Sequence, residues 1–133
     1  PIAEDGKVTV TLTCETNFTM KNANRSLLFS MLYNVVNNAV QHTPEGGRVD
    51  IHCGENSGRF EVSVSDTGKG MSPEHLDRLF TRFSNRPDKS GNGTGIGLVI
   101  TKSIADFHDI AIRVLSEPGK GTQFFFFFPL NSL

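Results

Sequence analysis

The sequence predicts an α/β sandwich: one mixed, mainly antiparallel sheet with helices packed on one face. Two observations carry this. First, the apolar period switches between 2 and 3.6 along the chain, in the order strand, helix, hairpin, helix, helix, hairpin. Second, the run from Phe124 to Phe128 calls for an inner place in a sheet, covered on both faces, because an exposed strand of that kind invites edge pairing and aggregation. A length of 133 residues suits one compact domain with a true core. No internal repeat or composition shift divides it, so residues 1–133 read as a single domain.

Each element has its own signal. Val8, Val10, Leu12 and Cys14 alternate with polar residues, the period of a half-buried strand. From Leu27 the period becomes helical: Leu28, Leu32, Val35 and Ala39 share a side flanked by Met31 and Val36, with Asn24 as N-cap. Thr43 to Gly47 stops that helix. Val49, Ile51 and Cys53 form one strand stripe and Phe60, Val62 and Val64 the next, joined by a turn at Asn56, Ser57 and Gly58. Ser72, Pro73 and Glu74 supply a cap, a first-turn proline and a first-turn acid for a short helix bearing Leu76, Leu79 and Phe80. Asn85 to Thr94 is polar and glycine-rich and reads as a mobile loop. A helix lined by Ile96, Ile100 and Ile104 begins within Thr94 to Gly97 and runs to about Phe107. Ile110, Ile112 and Val114, a turn flanked by Gly119 and Gly121, and the phenylalanine run form the closing hairpin.

Composition narrows the function. Hydrophobic residues make up 37% and charged residues 20%, values of a soluble globular protein. A net charge of −1 gives no electrostatic case for nucleic acid or an anionic membrane surface. No run approaches the roughly 18 apolar residues of a membrane span, and no signal peptide is present. A first residue of proline is what a piece of a longer protein shows. Cys14 and Cys53 lack any Cys-x-x-Cys or metal-ligand spacing and read as small buried apolar residues rather than a disulfide or metal site, in keeping with a reducing cytoplasm.

Four segments stand out chemically. On the first long helix, Asn34, Asn38 and Gln41 share a face away from the apolar one, with Asn37 beside them. Such a face can be merely solvated. Yet asparagine is a poor helix former, and its amide oxygen is a neutral ligand suited to Mg²⁺. Alternation puts Asp66 on the buried stripe of Phe60, Val62 and Val64, where a carboxylate needs a donor such as an adenine amino group. Gly68 and Gly70 would let ligand and backbone approach closely, although an ordinary turn has the same composition. Gly91, Gly93, Gly95 and Gly97 precede a helix, so backbone N–H groups can gather where phosphate binds. The spacing matches neither the Walker A loop nor the dinucleotide fingerprint. Between these segments, Phe80 and Phe83 flank Arg82, with Arg86 and Lys89 further on as candidate phosphate contacts.

In this order, these segments resemble the catalytic ATP-binding domain of sensor histidine kinases, within the superfamily of gyrase, heat-shock chaperone and mismatch-repair ATPases. Asn34 to Pro44 is similar to the N box, Asp66 to Gly70 to the G1 box, Leu79 to Phe83 to the F box and Gly93 to Leu98 to the G2 box. The end, Ser116 to Phe124, resembles the closing hairpin, and the likeness spans about residues 8–130. It implies a Bergerat-type fold, with ATP and Mg²⁺ as cofactors. Asn38 would be the metal ligand, Asn34 a polar aid around metal and phosphates, and Asp66 the adenine-reading acid. It further implies that Gln41, His42, Met71, Phe80, Phe83, Arg86, Lys89, Thr94, Ile96 and Leu98 surround the nucleotide, with Gly68, Gly70, Gly93, Gly95 and Gly97 as backbone positions. Arg82 joins Asn34 and Asn38 as catalytic, and the segment from about Phe83 to Gly95 corresponds to the ATP lid. Two departures stand out. Gln41 and His42 replace the usual basic and aromatic residues, so Arg82, Arg86 or Lys89 would take over a phosphate contact. Asp109 stands where glycine is common.

Asn34 also separates the activities. Hydrolysing branches of the superfamily carry a glutamate there to activate water, and asparagine cannot take that proton. The resemblance therefore implies presentation of the γ-phosphate to a histidine on a separate domain, with an ATP-binding sensor module and a gyrase-like ATPase as alternatives. His42, His52, His75 and His108 lack the family's acceptor context and read as structural or surface residues. His108 followed by Asp109 comes nearest to it. The expected partners are a dimerisation and phosphoacceptor domain and a response regulator, with no nucleic acid and no membrane contact. Phosphoacceptor and sensor domains are expected to lie outside this chain. A cytoplasmic domain, monomeric alone and dimeric in its parent (itself a candidate inner-membrane sensor), is the corresponding expectation.

Overall fold

In the computed structural model, which describes residues 8–15, 23–77, 79 and 97–129, the predicted order of elements is present. They are β1 (Thr9–Cys14), α1 (Arg25–Gln41), β2 (Arg48–Asn56), β3 (Arg59–Asp66), α2 (Pro73–Asp77), α3 (Gly97–Phe107), β4 (Ala111–Ser116) and β5 (Thr122–Phe127). The five strands form one sheet in the order β1-β2-β3-β5-β4. Only β1 and β2 run parallel; the other three pairings are antiparallel.

Local chemistry accounts for the boundaries. Asn24 caps α1, its side-chain oxygen accepting from the Leu27 amide at 3.0 Å. Ser72 does the same for α2, accepting from the His75 amide at 3.2 Å. The β2–β3 turn carries positive φ at both Ser57 (56°) and Gly58 (81°), the mirror-image turn whose twist suits a two-residue hairpin. After α3, Asp109 has φ 58°, while the amides of Asp109 and Ile110 reach back to Asp106 (3.2 Å) and Ala105 (2.8 Å). This paired closure makes Asp109 the left-handed residue that ends the helix. The preference for glycine there is thus conformational.

The core lies between one face of the sheet and the helices. Met31, Val35 and Ala39 of α1 are buried against Val49, Val62, Val64, Phe124 and Phe126. α1 packs on β2, β3 and α3, and α3 on β4. Three expectations need correction here. Ile100 is 41% exposed; the buried stripe of α3 is Leu98, Thr101, Ile104, Ala105 and His108, a helical set with polar members that apolar counting passes over. The phenylalanine strand β5 is indeed inner, between β3 and β4, but among the described residues the helices pack on one face only. Phe124, Phe126 and Phe128 are buried there, whereas Phe125 and Phe127 stack on each other, half-buried, on the opposite face (centroids 6.2 Å apart). In β1 the inward stripe fades: Val8 is buried and Val10 half-buried, but Leu12 is 70% exposed and Cys14 exposed. Cys14 is not a buried apolar residue. It forms a disulfide with Cys53, its register partner on β2.

Candidate nucleotide site

Asp66 ends β3, and its inward neighbours Val62 and Val64 are buried. Its Oδ1 accepts from the Gly68 amide at 2.8 Å. Partial burial pushes its carboxyl above the ordinary range, opposed by the Gly68 and Thr122 amides and by the nearby His42. A half-buried acid held by backbone donors is suited to accept from an uncharged amino group.

The loop after Asp66 is clasped on two sides. On one side stands the end of α1: a side chain at Gly68 would overlap the His42 carbonyl. On the other stands the β4–β5 hairpin. Gly70, at φ 74°, lies against the Glu117 carbonyl, and Gly121, at φ 83°, against the Asp66 carbonyl. Both therefore need glycine for space as well as conformation. Lys69 O accepts from the Gly119 amide at 2.6 Å, and the Met71 amide donates to Ser116 Oγ at 2.8 Å. Ser116 Oγ in turn lies 3.0 Å from the Gly121 carbonyl and 2.8 Å from Thr122 Oγ1. Thr67 ties the loop to β2, its hydroxyl accepting from the Arg48 amide at 3.0 Å.

Residues of the N-box stretch meet this loop through His42. Asn34, Asn37, Asn38 and His42 are half-buried and Gln41 is exposed, off the buried line of Met31, Val35 and Ala39. Thr43 is buried, its hydroxyl donating to the Ala39 carbonyl at 2.7 Å, which secures the end of α1 beside Gly68. Met71 is half-buried against the core. Gly97 opens α3, and Leu98 sends its side chain into the core. Phe80, Arg82, Phe83, Arg86, Lys89, Gly93, Thr94, Gly95 and Ile96 lie outside the described residues.

Among the described residues, no group of three His, Cys, Asp or Glu side chains could hold a metal ion. A divalent cation here would rest on a neutral amide such as that of Asn38, with water and phosphate oxygens completing its shell. That donor set fits Mg²⁺, which keeps several waters. Sequence reasoning places Gly121 at a turn and Ser116 and Thr122 in the closing hairpin, but gives none of them, nor Thr67, a part in holding the Asp66 loop. The Ser116-to-Thr122 spacing is the trace of the clasp, but hydroxyls that hold a loop look like any hairpin hydroxyls until the register is known.

The model of the histidine kinase-, DNA gyrase B- and HSP90-like ATPases matches residues 23–132. The chain belongs to that family. Its relatives are sensor kinases: it is 35% identical over 136 residues to the sensor protein IrlS of Burkholderia pseudomallei, covering 99% of the chain and 28% of IrlS. It is 40% identical over 104 residues to the sensor-like histidine kinase SenX3 of Mycobacterium tuberculosis, covering 75% of the chain and 25% of SenX3. The chain thus spans about a quarter of the length of these curated relatives. Its fold matches full-length ShkA in complex with AMPPNP, with TM-score 0.80 at 29% identity over 96% of this chain and 26% of that one. It matches the catalytic domain of the histidine kinase ThkA with TM-score 0.80 at 26% identity, over 96% of this chain and 84% of that one.

Proposed function

We propose that this domain binds Mg-ATP and presents the γ-phosphate to a histidine on a separate dimerisation domain, the autophosphorylation step of two-component signalling. The observation that carries the reading is the Asp66 loop, clasped between the end of α1 and the β4–β5 hairpin, with its half-buried carboxylate accepting from the Gly68 amide. Asp66 accepts from the adenine amino group, and the backbone around Gly68 and Gly70 lets the ring approach. Asn38 is the side chain that would hold Mg²⁺, with Asn34 one turn earlier beside the phosphates. When bound, Mg²⁺ neutralises phosphate charge. What this chain contributes is position and exclusion of water, the main needs of phosphoryl transfer. Asn34 offers no base to a water molecule, which supports transfer over hydrolysis.

Arg82, Arg86 and Lys89 are proposed phosphate contacts, and Gly93, Gly95 and Gly97 proposed backbone positions around the nucleotide. The acceptor domain, the dimeric parent, the downstream response regulator and a cytoplasmic location belong to the same proposal. No helix among the described residues is long and apolar enough to cross a membrane. Calorimetric titration with a non-hydrolysable ATP analogue, with and without Mg²⁺, on the wild type and Asp66→Asn, tests the site. Mg²⁺-responsive binding that weakens at least tenfold in the variant is expected; no binding by the wild type overturns the reading.

A further inference from the structure

We propose that Cys14 and Cys53 form a thiol–disulfide switch that fastens the edge strand β1 to the sheet and thereby tunes the nucleotide site. The two residues are register partners on neighbouring parallel strands, with Cα atoms 4.6 Å apart. They differ in setting: Cys14 is exposed on the outermost strand, and Cys53 is buried at 9% exposure. An exposed thiol that can react and a buried one that can resolve are the two parts an exchange reaction needs.

The bond sits at the end of β1, where apolar burial is slight. At the start of the strand, Val8 and Val10 pack into the core. At the end, Leu12 is 70% exposed and Thr13 exposed, so apolar burial contributes little there. β1 is otherwise tied by the backbone ladder, extended by the Glu15 amide donating to the Cys53 carbonyl at 2.9 Å, by the Thr11 hydroxyl donating to Asp50 Oδ1 at 2.5 Å, and by an exposed pair of His52 with Glu15 at 3.2 Å. Such exposed pairs contribute little. The crosslink spans 39 residues of sequence and encloses the whole of α1, with Asn34 and Asn38 inside the covalent loop.

A physical route leads from β1 to the site. The Thr9 amide donates to the Gly47 carbonyl at 3.1 Å, in the turn that follows α1. The next residue, Arg48, exchanges backbone and hydroxyl bonds with Thr67, beside Asp66 and Gly68. Loosening β1 therefore relaxes both the enclosing loop of α1 and the β2 edge that braces the Asp66 loop.

The exchange balances with a low-molecular-weight disulfide as oxidant. The Cys14 thiolate attacks one sulfur of that disulfide and releases one small thiol. The Cys53 thiolate then attacks the mixed disulfide at Cys14 and releases the second. Two protein thiols become one disulfide, and the small disulfide is reduced to two thiols.

The effect on nucleotide rests on the ATP reading above; the switch itself does not. The test equilibrates the folded chain in glutathione buffers of graded oxidised-to-reduced ratio. Free thiols are then counted by maleimide labelling and intact mass, Tm is measured, and the ATP analogue is titrated in both end states. We expect labelling to pass from zero to two across the series under native conditions, and Tm to be about 10 °C higher in the oxidised form. Analogue affinity should be about fivefold or more tighter in the oxidised form. Cys14→Ser should match the reduced wild type in every buffer. A bond that reduces only when the chain unfolds, or equal Tm in the two states, overturns the switch. A Tm difference with equal affinities overturns its coupling to the site. A Tm difference with no analogue bound in either state upholds the switch and sinks the ATP reading instead.

Discussion

Asp66 is a carboxylate placed where burial disfavours its charge, and that gives it two opposite pH signatures. Desolvation raises its folded-state pKa above the ordinary value. Between those two values the folded chain holds a proton that the unfolded chain has released. Its contribution to stability is therefore greatest on the acid side and is lost as pH rises through the raised value. Reading an adenine amino group requires the ionised form, so analogue affinity should fall as pH falls through the same value. Paired pH series of chemical unfolding and calorimetric titration check this, and parallel trends would remove Asp66 from the site. Asp66→Asn at neutral pH should change stability by no more than about 1 kcal/mol, and in the stabilising direction, because its amide oxygen can still accept from Gly68. Glycine positions separate space from conformation in the same way. Gly58 and Gly70 both have positive φ, 81° and 74°, but only Gly70 is crowded, by the Glu117 carbonyl. Gly58→Ala should cost about 1–2 kcal/mol, the left-handed penalty alone. Gly70→Ala should cost about 3 kcal/mol or more and weaken analogue binding, as read by denaturant midpoints and titration.

Helix ends carry much of the order in the sheet's helical layer. His108, 5% exposed, lies on α3's buried side, its Nδ1 2.9 Å from the Ile104 carbonyl and its Nε2 accepting from the Asn24 amide at 3.1 Å. One imidazole thus joins the end of α3 to the cap of α1. That buried joint also explains why the histidine nearest to an acceptor context is structural. Beside it, Asp109 holds φ 58° at the closure of α3 with its side chain exposed. Asp109→Gly should raise stability by about 1 kcal/mol, measurable as a higher urea midpoint at unchanged slope, because glycine adopts that conformation without the Cβ penalty. The element order was legible because each boundary had its own chemistry: Asn24 and Ser72 as caps, Thr43 to Gly47 as a stop, Ser57 and Gly58 as a turn. What was hidden depends on which strands become neighbours. Alternation assigned Leu12 and Cys14 to an inward face, but could not tell that β1 would be the edge strand, with Leu12 left 70% exposed. The pairing of Cys14 with Cys53 follows from a parallel register that a local pattern does not contain. Ile100 fell on the wrong side because the buried stripe of α3 includes Thr101 and His108, polar residues satisfied by the carbonyls of Met31 and Ile104.

At the scale of the whole molecule, the site is built from three separated parts of the chain: the end of α1, the Asp66 loop and the β4–β5 hairpin. On the proposed reading, none of these three parts brings a general base to the phosphates. Among the chain's histidines, His108 is buried, His52 stands exposed on the sheet near Glu15, His75 is in the first turn of α2, and His42 adjoins Asp66. None is set to receive a γ-phosphate at the place proposed for it, near Asn34 and Asn38. Incubated alone with Mg-ATP, the chain should therefore show neither self-phosphorylation nor appreciable release of phosphate. Mixed with a dimerisation domain bearing an acceptor histidine, it should transfer radiolabel from γ-labelled ATP to that partner, in an acid-labile and base-stable linkage. The position of Asn34 turns this contrast into a sharper trial. Asn34→Glu restores a proton acceptor one helical turn from Asn38, and general-base assistance is worth about 10²–10⁴-fold when well placed. Even an imperfectly placed glutamate should raise phosphate release by about tenfold and lower transfer to the partner, because water then competes for the same phosphoryl group. If phosphate release stays at the wild-type level while analogue affinity is retained, Asn34 does not border the phosphates, and the placement of the γ-phosphate along α1 must be moved.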